Sequence, residues 1–237
     1  VFSMAVSAID VQEVKTRDGI TAYLAQDDSN PIIAFSFEFR GGSSIDPADK
    51  LGLSAMAAGL LDEGAGDLDS FAFQSTLQDK AIRLSFSANT DSFSGSVTTI
   101  KANADEAFRL MALALSAPRF DEEPVERIRR QILVSLARSA ENPGRIARDT
   151  MFAEIFPDHP YGRPSNGTPE TIQSITADDL ASYTAQRFAK DRLIVGVAGD
   201  ITPRQLRRRL DEVFVHLPDA IDTEWRVPDT AVTYVGT

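Results

Sequence analysis

The chain has 237 residues, 43% of them hydrophobic and 25% charged, enough to bury a sizeable core in one large domain or two small ones. A net charge of -11 repels phosphate backbones and argues against nucleic acid as a partner. No cysteine occurs and only two histidines do, His159 and His216, which excludes disulfides, Cys-ligated zinc and thiol catalysis and nearly excludes imidazole-rich metal sites.

In chain order, the first ten residues, "VFSMAVSAID", are apolar and small, and Val6-Ser7-Ala8 has the form of the end of a secretory signal peptide with cleavage after Ala8. A short β-strand reads equally well from the same residues. Strands are expected over 11–16 and 20–25, joined through the turn Arg17-Asp18-Gly19. A third, 32–39, alternates Ile33, Phe35, Phe37 and Phe39 with polar Ser36 and Glu38. Gly41-Gly42 ends it without the spacing of a phosphate loop.

A helix over 51–62 follows, then one over 68–79 with Asp67 as N-cap and Leu68, Phe71 and Leu77 on its buried side. Strands are expected over 82–88 and 92–100. The 102–118 helix places Ala104, Phe108, Met111 and Leu115 on one stripe, and Pro118 stops it. Asp121 caps a longer helix to about Ala140, with Val125, Ile128, Ile132 and Leu136 on its apolar stripe. Asn142-Pro143 breaks that helix before another that reaches about Phe156. A Pro/Gly-rich loop over 157–170 leads to a short helix opened by Thr168-Pro169. Thr176 and Asp179 form a capping box for 177–188. A buried strand, 193–200, and a last helix from Thr202-Pro203 to about Val215 complete the series, and "AVTYV" near the end reads as the start of a further strand. The runs of strands and helix pairs define an α+β chain with an antiparallel or mixed sheet covered on one face by helices. The basic stretches 126–131 and 204–210 read as solvated helix faces, His159 as a residue packing its loop, and His216 as a helix C-terminal group. No run is apolar and long enough to span a bilayer.

Three stretches together resemble the M16 family of zinc metallopeptidases: "FRGGSSIDPADKLGLSAMAAGLLDEGAG", "FAFQSTLQDKAIRLSFSANTDSFSGSVTTI" and "HPYGRPSNGTPETIQSITADDLASYTAQRFAKDRLIVGVAGDI". The resemblance implies the family's ferredoxin-like layered α/β sandwich. It also implies an N-terminal-type domain over 9–218, following the signal-like residues 1–8, with 219–237 a linker toward a C-terminal domain. The family's inverted zinc motif, His-x-x-Glu-His, supplies two ligands and a general base, and a Glu about 75 residues on completes the set. Laid on this chain, those roles fall on Ala55, Ala58, Gly59 and, within a residue, Ser135. Methyl groups and a hydrogen offer no lone pair, and a serine hydroxyl is a poor neutral ligand. The expectation is therefore no catalytic residue, metal or other cofactor in this chain, with zinc in a partner.

The resemblance further implies pairing with a zinc-bearing M16 subunit around an unfolded peptide substrate, in the periplasm or another exported setting, with the cytoplasm as the alternative. A scaffolding homologue with no part in proteolysis is the second reading, and a stand-alone peptidase the weakest, since no nucleophile–base pair is visible. Peptides of the family add as a strand to a sheet edge, and the 82–100 strand pair is the candidate here, through Ser85, Phe86, Ser87, Phe93 and Ser94. A solvated outer sheet face explains the same alternation. The Arg/Tyr pair that holds substrate in zinc-less subunits of the family belongs to the C-terminal domain, so Tyr161 and Arg163 are not assigned to it.

Overall fold

The computed structural model describes residues 10–222 and 226–229. The signal-like residues 1–8 and the strand expected in "AVTYV" lie outside the described residues. Among the described residues, six strands form one mixed sheet in the order β1-β2-β6-β3-β5-β4. β1 (Val11–Lys15) and β2 (Thr21–Gln26) are an antiparallel hairpin whose turn uses Gly19 at φ +84°. β2 runs parallel to β6 (Leu193–Gly199). β3 (Ile32–Arg40) lies antiparallel to both β6 and β5 (Ser92–Ile100), and β5 pairs antiparallel with β4 (Arg83–Ala88).

The period-2 pattern sorts the faces. Ile33, Phe35, Phe37 and Phe39 point to the helices with Leu24, Leu84, Phe93, Val97 and Val195, all buried. Tyr23, Ser36, Glu38, Ser85 and Ile194 face outward. Over the buried face lie α3 (Ala104–Ser116) and α8 (Pro203–Phe214), which also pack on each other, and α1 (Leu53–Ala58) with α7 (Ala177–Arg187). Phe108 of α3 meets Phe35 edge-on at 5.4 Å, and Phe188 stacks on Phe39 at 4.7 Å. Gly95 is opposite Phe37, and a Cβ there would come within 2.3 Å of the Phe37 ring, so only glycine lets that ring cross β5.

Capping explains most boundaries. Thr168, Thr176 and Thr202 each close a reciprocal capping box, opening α6 (Pro169–Ser174), α7 and α8. Asn142 caps α5 (Pro143–Ile155). His159 accepts from the Tyr161 backbone at Nδ1 and packs between Phe156 and Tyr161, as a loop-packing residue should.

Several expectations need correction. α1 is shorter than 51–62, because Gly52 at φ +89° starts it late and Gly59 ends it in tight turns through residue 63. α2 (Ser70–Asp79) is capped by Asp69, not Asp67, and the later start changes its buried side: Phe73 and Leu77 are buried and Phe71 is 83% exposed. Asp121 starts α4 (Glu122–Ala140) without a side-chain cap, because Arg119 holds its carboxylate at 2.7 Å. The 126–131 stretch is not a plain solvated face. Arg127 pairs with Glu63, and Arg129 donates to the carbonyls of Ile172 and Ile175. Of the 82–100 pair only β4 is an edge among the described residues; β5 sits between β3 and β4, with Phe93 in the core and Ser92 buried.

Candidate functional site

α1 lies against β4 on one side and α4 and α7 on the others. Its start is fixed by a close approach: a Cβ on Gly52 would come within 2.6 Å of Ile172 and 2.8 Å of the Asn166 carbonyl. Gly52 has no side chain to cap the helix, and Asp46 does so from outside. Its Oδ2 accepts from the Ser54 backbone N–H at 3.2 Å and from Ser54 Oγ at 3.0 Å. Burial pushes the Asp46 carboxyl up to about 6, against the pull of the Ser54 hydrogen bonds and the Arg187 charge. Asp46 Oδ1 and the neighbouring Tyr183 hydroxyl are buried without a hydrogen-bond partner.

Positions 55, 58 and 59 follow one another at the i, i+3, i+4 spacing that shares a helix face. Ala58 is buried, and Ala55 and Gly59 are half-buried. A Cβ on Gly59 would stand 3.2 Å from Ile128 Cγ2 of α4, so the two helices touch at that glycine. Ser135 is exposed and seven residues beyond Ile128, two turns along the same α4 stripe, about 10 Å further down the axis. Methyl, hydrogen and hydroxyl groups at these positions do not suit Zn²⁺ as ligands. Among the described residues, no group of three or more His, Asp or Glu side chains is placed to hold a metal.

What ties α1 to α4 instead is an ion pair that sequence reading missed. Arg127 makes a two-pronged contact with Glu63, at 3.1 and 2.7 Å, and Ser70 Oγ donates to the same carboxylate at 2.5 Å. Burial pushes the Glu63 carboxyl up, but the Arg127 and Ser70 hydrogen bonds outweigh it and hold it below its usual range. The adjacent Asp62 goes the other way. Burial raises it to about 6, and Glu63 beside it adds to the rise, while the Gln74 amide and Arg127 oppose. A signal was present: an acidic side chain just past a helix C-terminus opposes the dipole and calls for a cation.

The five candidate edge residues divide by strand and face. Ser85 and Ser87 of β4 pair across to Ser96 and Ser94 through hydroxyl contacts of 3.0 and 2.9 Å. Together with Tyr23, Ser36 and Glu38 they border an open hollow of about 420 Å³ on the outward sheet face. Phe86 and Phe93 point the other way, 6.4 Å apart between centroids, with Phe86 beside Phe37. Tyr161 donates its hydroxyl to Asp91 at 2.7 Å and so anchors the 157–170 loop to the β4–β5 turn.

A mixed sheet is helix-covered on one face, and a short helix starting after Gly52 lies between the edge strand β4 and the long helix α4. No family model matches the chain. It is 29% identical over 215 residues to "Non-peptidase homolog YmxG" of Helicobacter pylori, covering 90% of this chain and 49% of that protein. It is 27% identical over 161 residues to a probable mitochondrial-processing peptidase subunit beta of Schizosaccharomyces pombe, covering 63% and 35%. Among solved structures, a peptidase M16 inactive domain from Pseudomonas fluorescens superposes with a TM-score of 0.87 at 22% identity, covering 94% of this chain and 54% of that one. A Helicobacter pylori protease superposes at 0.80 with 18% identity, covering the same shares. Along nearly its whole length the chain is similar to M16-type proteins, among them one named a non-peptidase homolog and one an inactive domain. It spans about half the length of the curated relative and solved structures it matches along nearly its whole length.

Proposed function

We propose that this chain is the N-terminal-type domain of a non-catalytic M16 subunit, which pairs with a zinc-bearing M16 subunit and forms one wall of a chamber for unfolded peptides. The carrying observation is that the metal helix keeps its frame while its inward positions carry Ala55, Ala58 and Gly59. The frame comprises the Gly52 start, the Asp46 cap and the Glu63–Arg127 tie to α4. The chain by itself is not an enzyme, and zinc belongs to the partner. The peptide-binding feature is the outer edge of β4, unpaired among the described residues, where an extended chain can add by main-chain hydrogen bonds.

The test is hydrolysis of a quenched, unfolded peptide by the full-length protein, alone and mixed with an intact His-x-x-Glu-His subunit from the same organism. The expected result is cleavage that rises well above that of the zinc subunit alone and is abolished by a chelator. Zinc-dependent cleavage by this protein alone would refute the assignment of Ala55, Ala58, Gly59 and Ser135. No gain in the mixture would favour a scaffold instead.

A further inference from the structure

Among the described residues Asp46 is the only carboxylic acid in the buried set. Its Oδ2 serves Ser54, and its Oδ1 has no hydrogen-bond partner. The Tyr183 hydroxyl, brought by α7, is buried without a partner as well. Arg187, one turn further along α7, acts on the carboxyl group but donates to the Ile45 carbonyl at 2.7 Å. The other charged and titratable groups nearby are engaged elsewhere. Lys50 pairs with Asp179 at 2.8 Å, and Arg192 acts on Arg187. Tyr161, in the turn packed against 43–45, gives its hydroxyl to Asp91. α1 itself, Leu53–Ala58, carries no charge. A negative charge on Asp46 would therefore be buried with one oxygen unbonded and no ion pair among the described residues, a setting that favours the protonated acid.

We propose that Asp46 is a proton-linked latch on the start of α1. With its proton it stays under the helix, and the seam between residues 43–58 and α7 stays closed. Without it, the seam opens locally and water reaches the carboxylate. The opening is local because Asp46 caps α1 from outside: Gly52 has no side chain to hold the helix start, so the cap and the first turn let go together. The direction follows from the burial that pushes the carboxyl up from 3.8 to about 6 in the closed form. The closed form is favoured in full below 3.8 and loses that advantage as pH rises through 6. The latch acts on the helix that carries Ala55, Ala58 and Gly59, and it requires neither zinc nor a partner chain.

The experiment is amide hydrogen exchange read by mass spectrometry on the full-length protein at pH 5 and pH 8, corrected for the intrinsic rate at each pH. Protection of residues 43–58 should fall about tenfold between the two in the parent. In Asp46→Asn, which keeps an oxygen for Ser54 and never ionises, it should change by less than about twofold. Arg187→Gln keeps a donor for the Ile45 carbonyl but removes the opposing cation, and should enlarge the fall. At pH 8 the exchange of 43–58 should not respond to dilute urea, because a local opening exposes little surface, whereas exchange of α3 should. Protection of 43–58 that does not change with pH in the parent, or that falls equally in Asp46→Asn, overturns the latch. A fall that α3 shares equally and that urea accelerates would assign the effect to unfolding of the whole domain and overturn the local opening.

Discussion

Replacing Asp46 with asparagine should stabilise the protein above neutrality and do nothing below pH 4. Asp46 is 2% exposed, and one of its oxygens has no hydrogen-bond partner, so its charge is poorly solvated. Holding the carboxyl near 6 instead of 3.8 disfavours the charged form in the folded state by about 3 kcal/mol. The sign follows from a folded value above the unfolded one. The favourable contribution is complete below 3.8 and is lost as pH rises through 6. Asparagine keeps an oxygen for Ser54 and never ionises. Urea unfolding of both proteins from pH 4 to 8 gives the difference directly, and that difference cancels carboxylates of opposite behaviour such as Glu63 and Asp179, which are held low. The variant's advantage should grow from near zero at pH 4 to about 2–3 kcal/mol at pH 7.5, with its midpoint between the two values. A difference that stays flat across this range, or that favours the parent increasingly with pH, would refute the account of a desolvated carboxylate.

Two backbone predictions accompany it. Gly95→Ala drives a methyl to 2.3 Å from Phe37 Cζ and 2.9 Å from Phe86 Cδ1, and should cost about 2–3 kcal/mol, read as a clear fall in melting temperature; an unchanged melting curve would mean that the Phe37 ring moves freely. Ala81 ends α2 at φ +50° with the Ile82 N–H bonded back to the Leu77 carbonyl, a left-handed helix end that glycine suits better. Ala81→Gly should therefore stabilise by about 0.5–1 kcal/mol in urea unfolding, and a net loss would show that unfolded-chain entropy outweighs the relieved strain.

The legible parts of the fold are those with local causes. Period-2 alternation in 32–39 identifies the inward phenylalanines, and the threonine caps at 168, 176 and 202 fix three helix starts, because both signals act within a few residues. The sequence reading places this helix's cap at Asp67, two residues early; the observed start at Asp69 buries Phe73 and turns Phe71 outward. The small residues at positions 55, 58 and 59 are visible as residue types. Their surroundings are not, since Glu63 and Arg127 are 64 residues apart and Asp46 reaches α1 only through a folded loop. Edge and interior strands share the same alternation, so the pattern groups β5 with β4 and only the hydrogen bonding separates them.

The position of β6 has a consequence for how this domain is made. Among the described residues it is the only strand bonded to both β2 and β3, so the β1–β2 hairpin and the β3–β5–β4 ladder do not touch along an edge without it. β6 begins at Leu193, and both of its neighbours leave the ribosome more than 150 residues earlier. Until it arrives, two half-sheets wait with open inner edges, and the loop that must close is nearly the length of the domain, the arrangement that makes folding slow. A nascent chain halted before residue 193 would hold its first hairpin unattached, and the seam closed by Val195 and Val197 would be the last part of the sheet to form.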